Sequence, residues 1–526
     1  MLICISLFIS CSEQNLDFSF SNTESPEDTQ TSIPNDDSPF SLPQTPSDLA
    51  LQADTFTHET QAFHYFAGSG IMVADFDGDD WLDIYIPTSQ EDELYLGGPN
   101  RQFTKVDDWL PHGSTLSVGG AAADYDGDGD MDIFLAVTQG NDILLRNEGT
   151  YFEDVSLQAN IMPIPGDSTC VSWTDFDFDG DLDLAIGAHK DVPQGREEDE
   201  IPPGDPTMIY KNEGNGKFQP IELPILDREG RSIAISWIQA EPLQNPYLYI
   251  INDSMGAPAG QETPNTLYTW EEDALTLAHE NSGLQVSMSG MGVAIADMNQ
   301  DQLPDILVTN EGPPALFLSM SEGMWYDGAL AHGLGDLRDD QYFSWGSSIH
   351  DFNNDGDLDI WLGYGPALDM SKDKFIQEPD AFLENNGGQF FDKTEQWGLL
   401  DYTNTRGGIF VDIDKDGFLD LIRSPIQSPV SIFYGKETSG SWLYVSLTQD
   451  GMNQYGIGAR VEIQKDEKIW TRWLTSGTST ASGEPPILHF GLGEIDVVDE
   501  IRVYWPTGET TIWEQIETRQ YLNIDK

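Results

Sequence analysis

Asp175-Phe176-Asp177-Phe178-Asp179-Gly180-Asp181-Leu182-Asp183 sets carboxylates at positions 1, 3, 5 and 9 of nine residues. Strand-like runs flank it, Val171-Ser172-Trp173 before and Leu184-Ala185-Ile186 after. So many acids in so short a stretch repel one another unless a cation sits among them. Oxygen ligands at alternating positions of a tight loop suit a hard cation, and Ca²⁺ is the usual one. Gly180, at position 6, lets the loop turn back with φ > 0. Position 7 would offer a backbone carbonyl, as in an EF-hand loop.

The stretch recurs. Asp75, Asp77, Asp79 and Asp83 form one copy, and Asp124, Asp126, Asp128 and Asp132 another. Asp175, Asp177, Asp179 and Asp183 are the third. Asp297, Asn299, Asp301 and Asp305 carry Asn at position 3, as do Asp351, Asn353, Asp355 and Asp359. Asp412, Asp414, Asp416 and Asp420 close the series. First residues are separated by 49, 51, 122, 54 and 61 positions, so the step of 122 from Asp175 to Asp297 hides a copy. Ser236-Trp237-Ile238-Gln239 aligns on Ser172-Trp173-Thr174-Asp175, and the ligand places become Gln239, Glu241, Leu243 and Tyr247. Leu243 and Tyr247 cannot replace carboxylates, so this copy keeps its strands and loses its metal. The count is seven repeats, with up to six Ca²⁺. Position 6 departs from Gly in two loops, Asp80 and Gln302. Asp tolerates φ > 0 better than Gln, so the loop at Asp297, which also carries Asn299, is expected to bind most weakly.

Each repeat reads as four short strands. The second gives Ser117 to Ala123, Ile133 to Val137, Ile143 to Leu145 and Tyr151 to Val155. Seven such units predict an all-β fold with a seven-bladed β-propeller over 51–438. The last repeat lacks a fourth strand, and Thr55 to Thr60, ahead of the first, is expected to complete it. The first strands are rich in small residues (Gly119-Gly120-Ala121-Ala122, Gly290-Met291-Gly292, Gly407-Gly408). This suits crowding at a propeller axis better than a ligand channel.

These loops resemble the Ca²⁺ loops of FG-GAP and VCBS repeats, the propeller type of integrin α chains. The tail resembles the ASPIC/UnbV domain at Asn453 to Val461, at Leu488-His489-Phe490-Gly491-Leu492-Gly493 and at Val503-Tyr504-Trp505-Pro506-Thr507-Gly508. Together they resemble bacterial relatives of the cartilage acidic protein family. The resemblance specifies a fold, over about 51 to 526, and no reaction.

From about 439 the pattern changes. Trp442 to Leu447 alternates like a half-buried strand, and Val461 to Ile463, Ile501 to Tyr504 and Thr511 to Trp513 follow. Pro506-Thr507-Gly508 is a turn. Residues 439–526 are therefore a small all-β domain, in which Arg460 and His489 are expected to be structural.

The chain of 526 residues carries a net charge of −67, and six divalent ions would leave about −55. That excludes nucleic acid as a partner, because phosphate binding needs clustered Lys and Arg. Residues 1–11 read as a lipoprotein-type signal: the apolar run Met1 to Ile9 is too short to span a bilayer, and Leu7-Phe8-Ile9-Ser10-Cys11 resembles a lipobox with Cys11 lipidated. Phe8 and the lack of a preceding Lys or Arg depart from that pattern. Plain secretion and a cytoplasmic location are the alternatives. An exported protein, anchored in the outer membrane or at the cell surface of a Gram-negative bacterium or else secreted, is the expectation. Residues 12–50, rich in Ser, Thr, Pro and acids, read as a disordered tether. Cys170 is expected to be a small core residue.

No His-x-x-x-His, nucleophile elbow, P-loop or dinucleotide motif stands in a suitable context. Carboxylates held by Ca²⁺ stay ionised and make poor acids. No catalytic residue and no organic cofactor is assigned. The expected function is a non-enzymatic, calcium-stabilised binding or adhesion module for an extracellular protein or glycan. The alternative is a propeller-type hydrolase or lyase acting on extracellular polysaccharide. The acidic loops all join first to second strands and share one face. Longer insertions (189–205, 253–264, 363–379, and 333–342) fall on the other, so a partner is expected there, near Tyr342, Phe343 and Tyr364.

Overall fold

The computed structural model describes residues 38–41, 70–88, 91–111, 117–162, 166–189, 207–223, 231–240, 244–254, 262–278, 281–321, 323–338, 342–366, 379–426, 428–477 and 479–526. The expected signal peptide with Cys11, the expected strand at Thr55 to Thr60, and most of the 189–205, 253–264 and 363–379 insertions lie outside these residues.

Every regular element among the described residues is a strand, and none of them forms a helix long and apolar enough to cross a membrane. Seven antiparallel sheets follow one another along the chain, at 72–106, 117–154, 166–221, 232–277, 293–327, 344–392 and 404–433. They are called sheets 1 to 7 here. Six have four strands in sequence order; sheet 7 has three from this span. Sheets 2 and 3 are also joined along an extension in which Thr138 pairs with Asp167.

Apolar cores between neighbouring sheets show why the strands read as they do. Met72 and Tyr85 of sheet 1 share a core with Ile133 and Leu145 of sheet 2. Phe134 and Trp173 join sheets 2 and 3, Ile209 and Trp237 join 3 and 4, and Tyr249 and Phe317 join 4 and 5. Leu307 and Ile360 join 5 and 6, and Phe382 and Phe410 join 6 and 7. Ile84 of sheet 1 then shares a core with Ile422 of sheet 7, which closes the ring. Each sheet is thus covered on both faces. Its inner strands, such as Ser117–Ala123 and Asp420–Ile426, are buried at every position. Outer strands such as Phe152–Asp154 keep only one face covered. This is a β-propeller arrangement.

Sheet 7 gains its outer neighbour from a segment expected to be unstructured. Ser41 donates its N–H to the Tyr434 carbonyl at 2.7 Å, and Lys436 donates to Pro39 at 2.7 Å. Phe40 is fully buried, with its ring 5.4 Å from Phe382 and 6.0 Å from Phe410. The reading of 12–50 as a disordered tether therefore fails at residues 38–41. A single large aromatic in a polar stretch is enough to pin them, because a cleft between two sheets is open to it.

The C-terminal strands build two sheets. One pairs Ser441–Thr448 with Ile487–Gly493 and, in parallel, with Gln520–Asp525. The other runs Lys468–Trp473, Arg460–Lys465, Val497–Tyr504, Thr510–Glu517. Leu443, Val461, Trp470, Phe490, Val503 and Trp505 fill the core between them. Ring and C-terminal domain belong to one compact unit.

Between Trp473 and Ile487 the chain leaves its own domain and enters the ring. Gly483 pairs with Met72 of sheet 1, Ser476 with Trp173 of sheet 3 and Ser479 with Val293 of sheet 5. The Gly120 N–H of sheet 2 donates to the Ala481 carbonyl at 3.2 Å, and the Ser347 N–H of sheet 6 donates to the Ser479 hydroxyl at 3.1 Å. Residues 476–483 thus run along first strands of five sheets, where a propeller has its axis. Two of the glycines noted above make that room: a Cβ on Gly119 would stand 2.1 Å from the Ala481 oxygen, and one on Gly292 would stand 2.8 Å from the Thr480 hydroxyl.

Candidate metal centres

All six acidic loops have one backbone design. Position 6 is left-handed in every case: φ is 98° at Gly129 and Gly180, 96° at Gly356 and Gly417, 74° at Asp80 and 70° at Gln302. Position 4 is left-handed too, including Phe178 at 61° and Gln300 at 59°. Such values are strained for large side chains, and the turn is held by carboxylates. Position 1 accepts from the N–H groups of positions 5 and 6, as Asp351 does from Asp355 at 3.0 Å and Gly356 at 2.7 Å. Position 5 accepts from the N–H two residues on, as Asp128 does from Asp130 at 3.0 Å.

Position 9 has a separate task. Asp132 accepts from the Tyr125 N–H of its own loop at 3.2 Å and from the Asn147 N–H of the third strand at 2.8 Å. Asp83, Asp183, Asp305, Asp359 and Asp420 repeat both bonds. This aspartate stitches loop to sheet through two backbone N–H groups. Position 2 is the other element that the sequence reading missed. Phe76, Tyr125, Phe176, Met298, Phe352 and Ile413 all enter the core toward the next sheet. Phe352, for example, stacks on Phe410 at 4.4 Å. The signal was visible as an apolar residue between the position 1 and position 3 polar residues, Asp and Asp or Asn, in all six copies.

The carboxylates of positions 1, 3 and 9 converge. Asp75, Asp77 and Asp83 bring ligand oxygens within 4.8 Å of one another, as do Asp124, Asp126 and Asp132, Asp175, Asp177 and Asp183, and Asp412, Asp414 and Asp420. The position 5 acids Asp79, Asp128, Asp179, Asp301, Asp355 and Asp416 are exposed and stand outside these trios. In the other two loops Asn299 and Asn353 each donate to the position 5 carboxylate at 3.0 Å.

These groups fit a cation. Asp126 Oδ1 and Asp177 Oδ1 are buried with no hydrogen-bond partner, a costly state for a carboxylate. Burial, the leading cause throughout, pushes Asp83 and Asp351 up to about 8 and Asp124, Asp175 and Asp412 to about 7. Asp132, Asp183, Asp359 and Asp420 rise well above the ordinary carboxylate range for the same reason. Backbone N–H donors pull each of these carboxyls down and neighbouring carboxylates push it up. At Asp351 the Arg472 charge also lowers it. Such trios ionise together only around a positive charge. Protein cations supply part of it: Lys211 pairs with Asp177 and Asp179, and Arg101 with Asp414. A hard divalent ion such as Ca²⁺ is the group that an all-oxygen set suits.

The fourth repeat behaves differently. Tyr247 turns into the core and meets Trp325 edge-on, ring centroids 6.1 Å apart. Gln239 donates to the Gln244 carbonyl at 2.7 Å. Glu241 and Leu243 lie outside the described residues.

The C-terminal domain sits on these loops. Tyr455 donates to the Gly129 carbonyl at 2.8 Å, Trp470 to Gly356 at 3.0 Å, Lys468 to Gly356 at 3.2 Å and the Gly493 N–H to Asn354 at 3.0 Å. The Tyr521 hydroxyl donates to Asp412. His350 hydrogen-bonds Glu484 at 3.2 Å, Arg460 pairs with Glu462, and His489 is buried beside Tyr444. Cys170 is buried, and burial pushes its thiol up to about 12. Tyr364, expected at a partner-binding face, is a correction: it is fully buried between sheets 5 and 6, with Arg338 5.3 Å over its ring. Its place in the inner strand Asp359–Tyr364 put it in the core, which a loop-based reading overlooked.

The family described as FG-GAP-like repeat matches residues 75–135, 124–186 and 297–362, and the family described as ASPIC and UnbV matches 449–526. Cartilage acidic protein 1 of Xenopus tropicalis is 32% identical over 267 residues, 47% of this chain and 38% of the relative. The Mus musculus protein of the same name is 30% identical over 234 residues, 42% of this chain and 34% of the relative. The matched region thus spans little more than a third of those relatives. Among solved structures, an Agrocybe aegerita lectin described as recognising non-reducing terminal N-acetylglucosamine is 14% identical with a TM-score of 0.36, covering 68% of this chain and 85% of that one. Saccharomyces cerevisiae Sqt1 is 9% identical with a TM-score of 0.42, covering 71% and 97%. The chain carries FG-GAP-like repeats and an ASPIC and UnbV domain, and it is similar to cartilage acidic protein 1 at about 30% identity.

Proposed function

We propose that the protein is a non-enzymatic, extracellular binding module whose propeller is stabilised by Ca²⁺ in the acidic loops. It would hold a protein or glycan partner on the face opposite those loops. One observation carries this reading. The loop face is already covered by the protein's own C-terminal domain, and residues 476–483 line the axis. The opposite face is the one left to a partner, and the strand order assigns the second-to-third strand connections to it. Loops on a rigid scaffold commonly carry recognition. Tyr342 and Phe343 remain partly exposed there. The FG-GAP-like repeats and the similarity to cartilage acidic protein 1 support an extracellular setting, and Cys11 would anchor the chain to an outer membrane.

Glycan-array and surface-protein pull-down screening tests the face. Trimming 189–205 or 363–379 is expected to weaken binding of whatever ligand is found. Full affinity in both trimmed proteins puts the partner elsewhere. Mass spectrometry of the mature N-terminus tests the anchor: an unmodified Cys11 or an intact Met1 ends that part of the reading.

A further inference from the structure

A set of hydrogen bonds that seat the C-terminal domain on the ring end on the turns of the acidic loops. Tyr455 takes the carbonyl of Gly129, at position 6 of the second loop. Trp470 and Lys468 take that of Gly356, at position 6 of the loop beginning at Asp351. Gly493 donates to Asn354, at position 4 of the same loop. Those acceptors sit in left-handed backbone, with φ of 98° at Gly129, 96° at Gly356 and 59° at Asn354. Packing is tight at the same places. A Cβ on Gly491 would lie 1.9 Å from Asp351 Oδ2, and one on Gly417 would lie 2.2 Å from the Trp442 ring. The domain therefore fits the loops only in their wrapped shape.

The segment within the axis hangs on the same seat. It is held by hydrogen bonds to backbone groups of first strands: Gly483 N–H to Ile71 at 2.9 Å, Val73 N–H to Gly483 at 3.1 Å and Ser479 N–H to Val293 at 3.1 Å. Side chains add Thr480 to the Met291 carbonyl at 3.0 Å and Ser348 to Glu484 at 3.1 Å. Residues 476–482 bring few large apolar side chains into the axis. Burial alone gives this segment little hold, so its position depends on the domain at both its ends.

We propose that docking of residues 439–526 is conditional on a cation in the loops at Asp124, Asp351 and Asp412. Without one, the crowded carboxylates push the turns out of shape, the domain lifts, and the segment leaves the axis. The ring itself persists. Its seven inter-sheet cores are apolar, and the position 9 aspartates tie each loop to its sheet through backbone N–H groups. The C-terminal domain is thus an ion-dependent stopper for the propeller axis. This rests on the Ca²⁺ reading of the loops.

Hydrogen exchange on the full chain, in excess Ca²⁺ and in EDTA, tests it alongside metal analysis. In EDTA the amides of Val73, Gly120, Ser479 and Gly483 should exchange on the order of tenfold faster or more, while those of Ile84, Ile133 and Leu184 keep their protection. Bound Ca²⁺ with no change at the first four amides overturns the stopper and leaves the metal reading standing. Absence of any bound Ca²⁺ overturns both. Equal acceleration at all seven amides means that the ring unfolds with the domain, which also sinks the proposal.

Discussion

Gly119→Ala isolates the grip of the ring on residues 476–483. Gly119 lies in Ser117–Ala123, outside the left-handed positions, so alanine suits its backbone. The three atoms nearest the new Cβ all belong to Ala481: its oxygen at 2.1 Å, its Cβ at 2.5 Å and its carbonyl carbon at 2.9 Å. An ordinary contact begins at 3.4 Å, so the segment must retreat by about 1.3 Å. That takes the Gly120 N–H to Ala481 bond from 3.2 Å to beyond hydrogen-bonding range. It also strains the two bonds to Gly483, which lies two residues further on. Losing one bond at about 1 kcal/mol, with overpacking of about 1–3 kcal/mol, predicts about 2–4 kcal/mol lost from docking of the segment. Native-state hydrogen exchange in Ca²⁺ should show the Gly483 and Ser479 amides losing protection by about 30- to 700-fold, at ~1.4 kcal/mol per factor of ten. Leu144 and Leu145, in the same sheet but away from the axis, should be unaffected. Unchanged protection at Gly483 would show that the segment is not packed against Gly119. Equal loss throughout sheet 2 would show that the substitution acts on the sheet instead.

Chelation should lower the melting temperature sharply, since a site held at about 100 times its Kd contributes ~2.7 kcal/mol; an unchanged curve in EDTA, with no Ca²⁺ found by metal analysis, defeats the cation reading. Asp126→Asn and Asp132→Asn separate the two kinds of aspartate within one loop. Asp126→Asn should cost stability in Ca²⁺ and little in EDTA, whereas Asp132→Asn, which turns an amide N–H₂ against a backbone N–H, should cost about 2–4 kcal/mol in both. Equal effects in the two conditions for both variants would erase the distinction. Binding should also release protons. Burial, first among the causes, holds Asp83 and Asp351 near 8 and Asp124 and Asp175 near 7 in the cation-free chain. These carboxyls are raised, so they keep protons below those values, and a cation must displace them. Ca²⁺ added at pH 7 in weak buffer should acidify the solution, and apparent affinity should tighten as pH rises from 6 to 8. A silent pH electrode during a titration that does bind Ca²⁺ counts against it.

The nine-residue period decided much of this protein before any coordinates. Carboxylates at 1, 3, 5 and 9 between apolar runs permit a loop between two strands and little else, because the ligand pattern and the strand alternation are both local. The loop residues, the lost fourth site and the repeat architecture follow from that. The left-handed turn at position 6 follows too, although Asp80 and Gln302 adopt it without glycine. What only the tertiary structure decided depends on contacts between residues far apart in the chain. Phe40 and sheet 7 are nearly 400 positions apart, and nothing local in a polar stretch announces that a cleft is waiting for the ring. The glycine at 119 looked like crowding among sheets; the crowding partner is Ala481, more than 300 residues later. Position 9 was read as a ligand, but the N–H that it accepts from the third strand shows it to be a structural stitch as well. The seating of the C-terminal domain on the acidic loops had no sequence signal. Lys468, Trp470 and Arg472 do alternate along one face of Lys468–Trp473, but a strand of mixed character is compatible with many surfaces. Only the folded ring brings the turn carbonyls of separate repeats together under it.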